Sequence, residues 1–463
     1  MSQPKKQSRT MLATILALAW PAMVEQALQT IVQYADSAMV GRLGVRAMAA
    51  VGLTTTVTWL TNAPLWAMGA GVLACIARAI GAKNLDRARS AAQQGIWLAL
   101  IVGVAMTLIT ELAAPRLPGW LGAEPDIRQD GYLYFAILCA PLIFRALSYI
   151  LGSALRASGD TRTPMLVNLG MNAINVLLNF LLIFPTRQVA LAGAVFTVPG
   201  AGWGVVGAAI ASAIAVTFSG AMMLYKVLSS PVLSPIKLKK RWDGEVMNSC
   251  VRVGLPVALQ NIGVFGGQVA FSALVTSLGK AALATHSIAL TAEQAFYIPG
   301  FGMQAAASTL SGNALGEGDE KKLDSVSRTI LLVSMGLMTV TGAILFAFPG
   351  FMMSIFTADA EVIAGGAKIL RIVACSEPLY AAMIIFEGVF HGVGQTKYPF
   401  AVSLITMWGV RVLGTLICVR GLGLGLTAVW LCMVGDNVSR ALLLGLRYFG
   451  GRWKRSLGFH QAA

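Results

Sequence analysis

Apolar runs of about twenty residues, the length a helix needs to cross the hydrocarbon core of a bilayer, follow one another along this chain. They fall near residues 11–40, 47–72, 92–113, 131–154, 163–185, 203–228, 247–277, 283–307, 326–347, 366–390, 398–420 and 424–449. Barrel-like alternation of apolar and polar residues is absent, and helices satisfy their own backbone in lipid. The pattern predicts an all-α integral membrane protein with twelve transmembrane helices. The first run continues through Ala38, well past the apolar core of a cleaved signal peptide, and is expected to remain as the first crossing.

The twelve runs are two copies of six. One constant displacement carries Pro21 onto Pro256, Leu43-Gly44 onto Leu278-Gly279, Pro64 onto Pro299 and Gly81 onto Gly316. The same displacement lays "GDTRTP" (159–164) on "GQTKYP" (394–399). Beyond them the register slips, because "GAGWG" (200–204) matches "GLGLG" (421–425), which gives the first copy a longer loop around 186–199. Six crossings is an even number, so both copies enter the membrane in the same sense. Such parallel repeats enclose a cavity between pseudo-symmetric halves. The expected organisation is an N-lobe (1–228), a basic linker (229–246), a C-lobe (247–450) and a basic tail (451–463). In the sixth run Gly200, Gly204, Ala208 and Ser212 recur every four residues, a small-residue face suited to close helix packing.

Composition agrees with the pattern. The chain is 56% hydrophobic and 12% charged, about half the charge of a soluble domain. Its net charge of +15 would suit a nucleic-acid binder, but the basic residues are sorted by side. Segments sharing a side with the N-terminus carry Lys5, Lys6, Arg78, Lys83, Arg156 and others, about threefold more than the opposite side. That asymmetry puts both termini in the cytoplasm. The six cysteines lie in or beside apolar runs without metal-ligand spacing, and His286, His391 and His460 are scattered.

Polar residues interrupt the apolar runs in phase. Glu25, Gln29, Gln33 and Asp36 stand at i, i+4, i+8 and i+11, so they line one helix face over about 16 Å. In the fifth run Asn168, Asn172, Asn175 and Asn179 repeat that spacing at i, i+4, i+7 and i+11. A carboxylate at mid-membrane costs about 2.5–3.5 kcal/mol on insertion scales, so these acids require partners or water, and the two stripes are expected to face each other. A network that merely glues helices together, at about 0.6 kcal/mol per bond, is the plainer reading; eight in-phase polar residues favour a site. The second copy replaces Glu25 by Gln260 and Asp36 by Phe271, and carries Glu293, Glu377, Glu387 and Asp436 instead, with Arg411 and Arg440 near in depth. In the first half Arg145 is the base expected among the acids. Trp59, Trp66, Tyr34, Phe296 and Tyr297 offer rings for flat cations, or plain packing.

Several stretches resemble the multidrug and toxic compound extrusion (MATE) family of antiporters, bacterial type. They are "QTIVQYADSAMVGRLG", "GAKNLDRA", "LRASGDTRTP", "NAINVLLNFLLI", "LATHSIAL", "AEQAFYIPGFGMQAAASTLSGNALGEGD" and "VFHGVGQTKYP", in order across both halves. The resemblance implies a twelve-helix, two-lobe exporter that exchanges organic cations for protons or sodium ions. It puts the family's outer-end carboxylate of helix one on Asp36 and its fifth-helix polar pair on Asn175 and Asn179. Asn179 stands where one branch has an aspartate, the helix-seven region "PVALQNIGVFGGQ" lacks another branch's glutamate, and Glu293 matches a helix-eight acid.

The expected function is export of cationic drugs by antiport, with no cofactor beyond the coupling ion, proton or sodium. Asp36, Glu25, Asn175 and Asn179 are the candidate coupling residues, with a sodium ion near Asp36 as the only metal considered. Gln29, Gln33, Asn168, Asn172, Glu293, Gln260, Glu377 and Glu387 are candidate cavity residues. Pro21 frees the Ala17 carbonyl and lets the first helix bend. The protein is expected as a monomer in the plasma or inner membrane, with a small cationic substrate and lipids as its only partners. A flippase for a lipid-linked saccharide, or an exporter of an endogenous metabolite, would share the architecture. A membrane enzyme would need a His/Asp or Ser/His cluster that the sequence lacks, and a channel would need no titrating acid.

Overall fold

The internal repeat decides where helices start. The structure, a computed structural model, describes residues 3–191, 194–236, 238 and 242–457. Lys237, Lys239, Lys240 and Arg241 of the expected linker, and tail residues 458–463 with His460, lie outside the described residues. The protein is 84% helical, so nearly all of its backbone is hydrogen-bonded within its own segment.

The first half consists of α1 (Gln3–Gly41), α2 (Val45–Gly81), α3 (Leu85–Ala113), α4 (Leu117–Trp120), α5 (Pro125–Cys139), α6 (Leu142–Ala157), α7 (Arg162–Leu182) and α8 (Gly204–Leu228). Between α7 and α8 the expected loop is an antiparallel hairpin, β1 (Pro185–Leu191) with β2 (Ala194–Ala201). The second half consists of α9 (Gly244–Thr276), α10 (Lys280–Glu317), α11 (Glu320–Ala347), α12 (Pro349–Ser354), α13 (Ala360–Ala374), α14 (Glu377–Gly392) and α15 (Lys397–Ile405). It continues through π-helical turns at Thr406–Val412 and Ile417–Gly421 around α16 (Leu413–Leu416), then α17 (Leu426–Phe449) and α18 (Arg452–Arg455).

The starts of α2, α3, α5, α6 and α7 recur, at the displacement that relates Pro21 to Pro256, as the starts of α10, α11, α13, α14 and α15. Paired glycines set this punctuation. Gly44 and Gly279 precede α2 and α10 at φ 104° and 100°, and Gly159 and Gly394 precede α7 and α15 at φ 89° and 77°. Only glycine takes such angles without strain.

Among the described residues nine helices are long and apolar enough to cross a membrane, and two bent pairs raise the number to eleven. The pairs are α5 with α6, meeting at 46°, and α13 with α14, at 54°. Pro141 stands in the first break and Pro378 just beyond the second, where proline cannot continue the helix before it. The expected eighth crossing lies in α10, 38 residues long but made polar by Thr285, His286, Glu293, Gln294 and Gln304. α1 passes through Pro21 as one continuous helix.

The chain divides into two compact units. One comprises Val24–Val72 and Leu85–Val251, the other Met1–Met23, Leu73–Asn84 and Arg252–Ala463; they are called units N and C below. In unit N, α8 packs on α5, α6 and α7. In unit C, α14 packs on α10, α11 and α17 and is buried almost without interruption from Ala381 to Phe390, as a central helix should be. Ile15, Leu18 and Ala19 of α1 join the core of unit C. Leucines such as Leu112, Leu332 and Leu446 are exposed, as residues facing acyl chains should be.

Close approach is made by glycine. In unit N a Cβ on Gly220 of α8 would overlap the backbone of Phe144 on α6, whereas one on Gly336 of α11 would meet open space. Gly220→Val should therefore destabilise the detergent-solubilised protein by about 1–3 kcal/mol, lowering its thermal midpoint. Gly336→Val should leave the midpoint unchanged.

Candidate functional site

In unit N the two polar stripes meet at two rungs. At the first, Asn168 Nδ2 donates to Glu25 Oε1 at 2.6 Å. At the second, Asn179 Nδ2 donates to Asp36 Oδ1 at 2.6 Å. Both rungs join α1 to α7, and they lie eleven residues apart on each helix, which is three turns. Asn168, Asn172, Asn175 and Asn179 are all buried. Gln29 is half-buried and Gln33 exposed. Asn172 Nδ2, between the rungs, has no hydrogen-bond partner among the described residues.

The rungs differ in charge. Glu25 is paired with Arg156 of α6 at 3.3 Å, and its asparagine is backed by a Ser219–Asn168 bond of 3.3 Å and a Ser148–Ser219 bond of 2.7 Å. Asp36 has no ion-pair partner among the described residues, and its neighbours are amides and Tyr134. Arg156 corrects the expectation that Arg145 is the base among these acids. Its position in the last turn of α6 groups it in sequence with an inner loop, yet its guanidinium reaches back into the bundle.

Asn175 completes the second rung in either of two amide orientations. In one, Nδ2 donates to Ser212 Oγ at 3.0 Å and Oδ1 accepts from Asn179 at 3.2 Å. That orientation turns the amide oxygen toward Asp36. In the other, Nδ2 donates to the Asp36 carboxylate at 2.9 and 3.3 Å while Oδ1 accepts from Ser212. Ser212, which reads in sequence as a packing residue, is thus part of the site. Its spacing against the asparagine stripe gives no signal, because the contact depends on how α7 and α8 cross.

Unit C builds different chemistry on the same frame. The pairs Glu25–Asn168 and Gln260–Ser403 have the same sequence separation, and Gln260 Nε2 donates to Ser403 Oγ at 3.0 Å and to Glu387 Oε1 at 3.1 Å. Ser403 donates to the same glutamate at 3.1 Å. Further along, Asp436, wholly buried, pairs with Arg411 at 2.9 Å and Arg440 at 3.1 Å. Arg411, in a π-helical turn, also donates to Gln268 at 3.1 Å and Asn437 at 2.9 Å. Glu293 and Glu377 are buried near one another, and neither Glu377 oxygen has a hydrogen-bond partner among the described residues. Of the candidate aromatics, Trp66 adjoins both Trp59 and Tyr149 in unit N, and Tyr297 adjoins Tyr380 in unit C. Among the described residues no three His, Cys, Asp or Glu side chains gather as a metal site would require.

Known proteins match this chain along nearly its whole length. A family model described as MatE matches it twice, at residues 21–181 and 256–417, so that the two matches begin at the equivalent prolines Pro21 and Pro256. The chain is 28% identical over 454 residues to "Probable multidrug resistance protein NorM" of Thermotoga maritima, covering 98% of this chain and 95% of that one. It is 25% identical to "Multidrug resistance protein PmpM" of Pseudomonas aeruginosa, covering 87% and 83%. Among solved structures, one described as the outward-facing conformation of a multidrug resistance MATE family transporter has a TM-score of 0.87 at 23% identity, with 96% of each chain covered. That likeness establishes the fold.

Asp436 is held by two guanidiniums, so Asp436→Ala should strand both charges and cost about 3–5 kcal/mol, seen as a collapse of the thermal midpoint. Replacing Asp436, Arg411 and Arg440 together by apolar residues of similar volume should recover most of that loss.

Proposed function

The chain belongs to the MatE family of transporters, and on that footing we propose that it exports small organic cations, drugs among them, in exchange for protons. The relatives' names as multidrug resistance proteins support the substrate class. The observation that carries the coupling site is the contrast between its two rungs: Glu25 is neutralised by Arg156, while Asp36 is served by amides alone.

A half-buried carboxylate with no fixed counter-ion attracts whichever cation is offered. When ionised, Asp36 accepts from Asn179 and, with the amide turned toward it, from Asn175. Its charge then favours a cationic substrate nearby. A proton arriving from outside neutralises it, and the new O–H donates to Asn175 Oδ1 once that amide has turned its nitrogen to Ser212. With the charge gone the substrate is released. One acid thus binds proton or drug but not both, the requirement for exchange. Glu25 and Arg156 act as a fixed pair that holds α1 against α6 and α7.

The cycle is completed by rocking two six-helix lobes in the plasma membrane, with α10 as the eighth of twelve crossings, both termini cytoplasmic, and the protein acting as a monomer. Sodium is the second reading. Oxygen atoms of Asp36, Asn175 and Asn179 are hard donors of the kind sodium takes, and Asn179 Oδ1 has no hydrogen-bond partner among the described residues.

In proteoliposomes, Asp36→Asn should reduce pH-driven export of a dye cation at least tenfold. The Glu25→Gln/Arg156→Gln double variant, which removes the fixed pair as a unit, should keep most of it. Undiminished export by Asp36→Asn would sink the assignment. Imposing a proton or a sodium gradient alone on the unaltered protein decides the ion, with export expected from the proton gradient.

A further inference from the structure

The last turns of α2 and α10 cross in unit C, and the crossing is symmetric in a way that few contacts are. The displacement between the repeats relates Ala77 to Gly312, Arg78 to Asn313 and Gly81 to Gly316. A Cβ added to Gly81 would overlap the main-chain oxygen of Asn313, and one added to Gly316 would overlap the main-chain oxygen of Arg78. Each glycine therefore meets the helix of its own counterpart at the counterpart position. A Cβ on Gly312 would stand 2.7 Å from the Cβ of Ala77, its own equivalent. Residues that touch their equivalents lie on the two-fold axis of a self-complementary contact. A local two-fold relating these two helix ends thus passes between Ala77 and Gly312.

At its centre this contact is backbone and methyl. Ala77–x3–Gly81 meets Gly312–x3–Gly316, a small-residue pairing on both helices that lets the chains touch closely. Beside it Arg78 donates to the Val393 carbonyl at 2.9 Å, at the end of α14. No ion pair between the two helices spans the crossing among the described residues. Parting such a joint breaks the Arg78–Val393 hydrogen bond but no ion pair between the two helices among the described residues. The basic residues next to it in sequence, Lys83, Lys321 and Lys322, mark this end as the cytoplasmic one by the charge asymmetry.

We propose that the α2–α10 crossing, centred on Ala77 and Gly312 and bracketed by Gly81 and Gly316, is the cytoplasmic gate of the transport path and separates once in every cycle. The inference rests on the reading of the protein as an alternating-access exporter. A contact on the axis belongs equally to both repeats, so rocking of one against the other opens it first, and cargo enters from the cytoplasm where it parts.

The test is a reversible bolt. Ala77→Cys/Gly312→Cys is made in a background with the six native cysteines replaced by serine or alanine, and reconstituted in proteoliposomes. Reduced, it sets the reference rate of dye-cation export. Oxidised with copper phenanthroline, which takes two electrons and releases two protons as the disulfide forms, it should lose export at least tenfold and regain it on reduction. Full export by the cross-linked protein would show the crossing to be static packing and overturn the gate. Failure of the background protein itself to export would instead count against the transporter reading. Should the added side chain at Gly312 prevent folding, Arg78→Cys/Val393→Cys bridged by a short bismaleimide asks the same question, with the unbridged variant as control and the same two outcomes.

Discussion

Inside a bilayer no water hydrates a carboxylate, so each buried acid of this chain depends on what its own helices offer. Glu387 takes an amide and a hydroxyl, Glu377 takes no hydrogen bond among the described residues, and three other acids set the contrast. Glu25 takes one guanidinium and one amide. Asp436 takes two guanidiniums in a network extended by Gln268, Asn437 and Thr406. Asp36 takes only amides. The first two are closed arrangements, from which a partner cannot be removed without stranding a charge. The third is open, with no ion-pair partner among the described residues, and the proposed exchange rests on that incompleteness.

The duplication explains why incomplete and complete networks share one frame. The rung between α1 and α7 recurs between α9 and α15, because α7 and α15 start at equivalent places and the bonded residues keep the same separation. What changes is the cargo of each rung. Glu25 with Asn168 becomes Gln260 with Ser403, its hydrogen bond kept and its charge lost. Asp36 with Asn179 becomes Phe271 with Gly414, and both polarity and bond are gone. Phe271 is fully buried, so in unit C the space of the outer rung has become core.

Much of this is legible in the sequence because it is periodic. The i, i+11 spacing on two helices announces that Glu25 can meet Asn168 when Asp36 meets Asn179. The displacement that carries Pro21 onto Pro256 announces where helices begin. Other features leave no periodic trace. A break such as that between Cys139 and Leu142 leaves an apolar run unbroken, so two bent helices read as one crossing. Arg156 resembles a loop residue, because sequence shows its charge and hides its reach. The hairpin at 185–201 pairs strands within one loop, and the π-helical turns at Thr406–Val412 and Ile417–Gly421 have no periodic signature in the sequence. Gln33 has the right spacing and the wrong neighbours, and stands exposed.

The grouping of Met1–Met23 with Arg252–Ala463 in one unit bears on how the chain is made. Ile15, Leu18 and Ala19 pack against Met303, Ala306 and Ala307, nearly three hundred residues downstream. At about 5–20 residues per second of synthesis, the start of α1 waits some 15 to 60 s in the membrane for the surface it will pack on. For the later part of that interval, once Asn179 has been made, the far half of α1 with Glu25 and Asp36 has its partners and the amino-terminal half does not. The order of birth of the helices thus separates assembly of the Asp36 rung from completion of the fold. A ribosome that stalls between the two repeats would leave the acids paired and the helix that carries them half undocked.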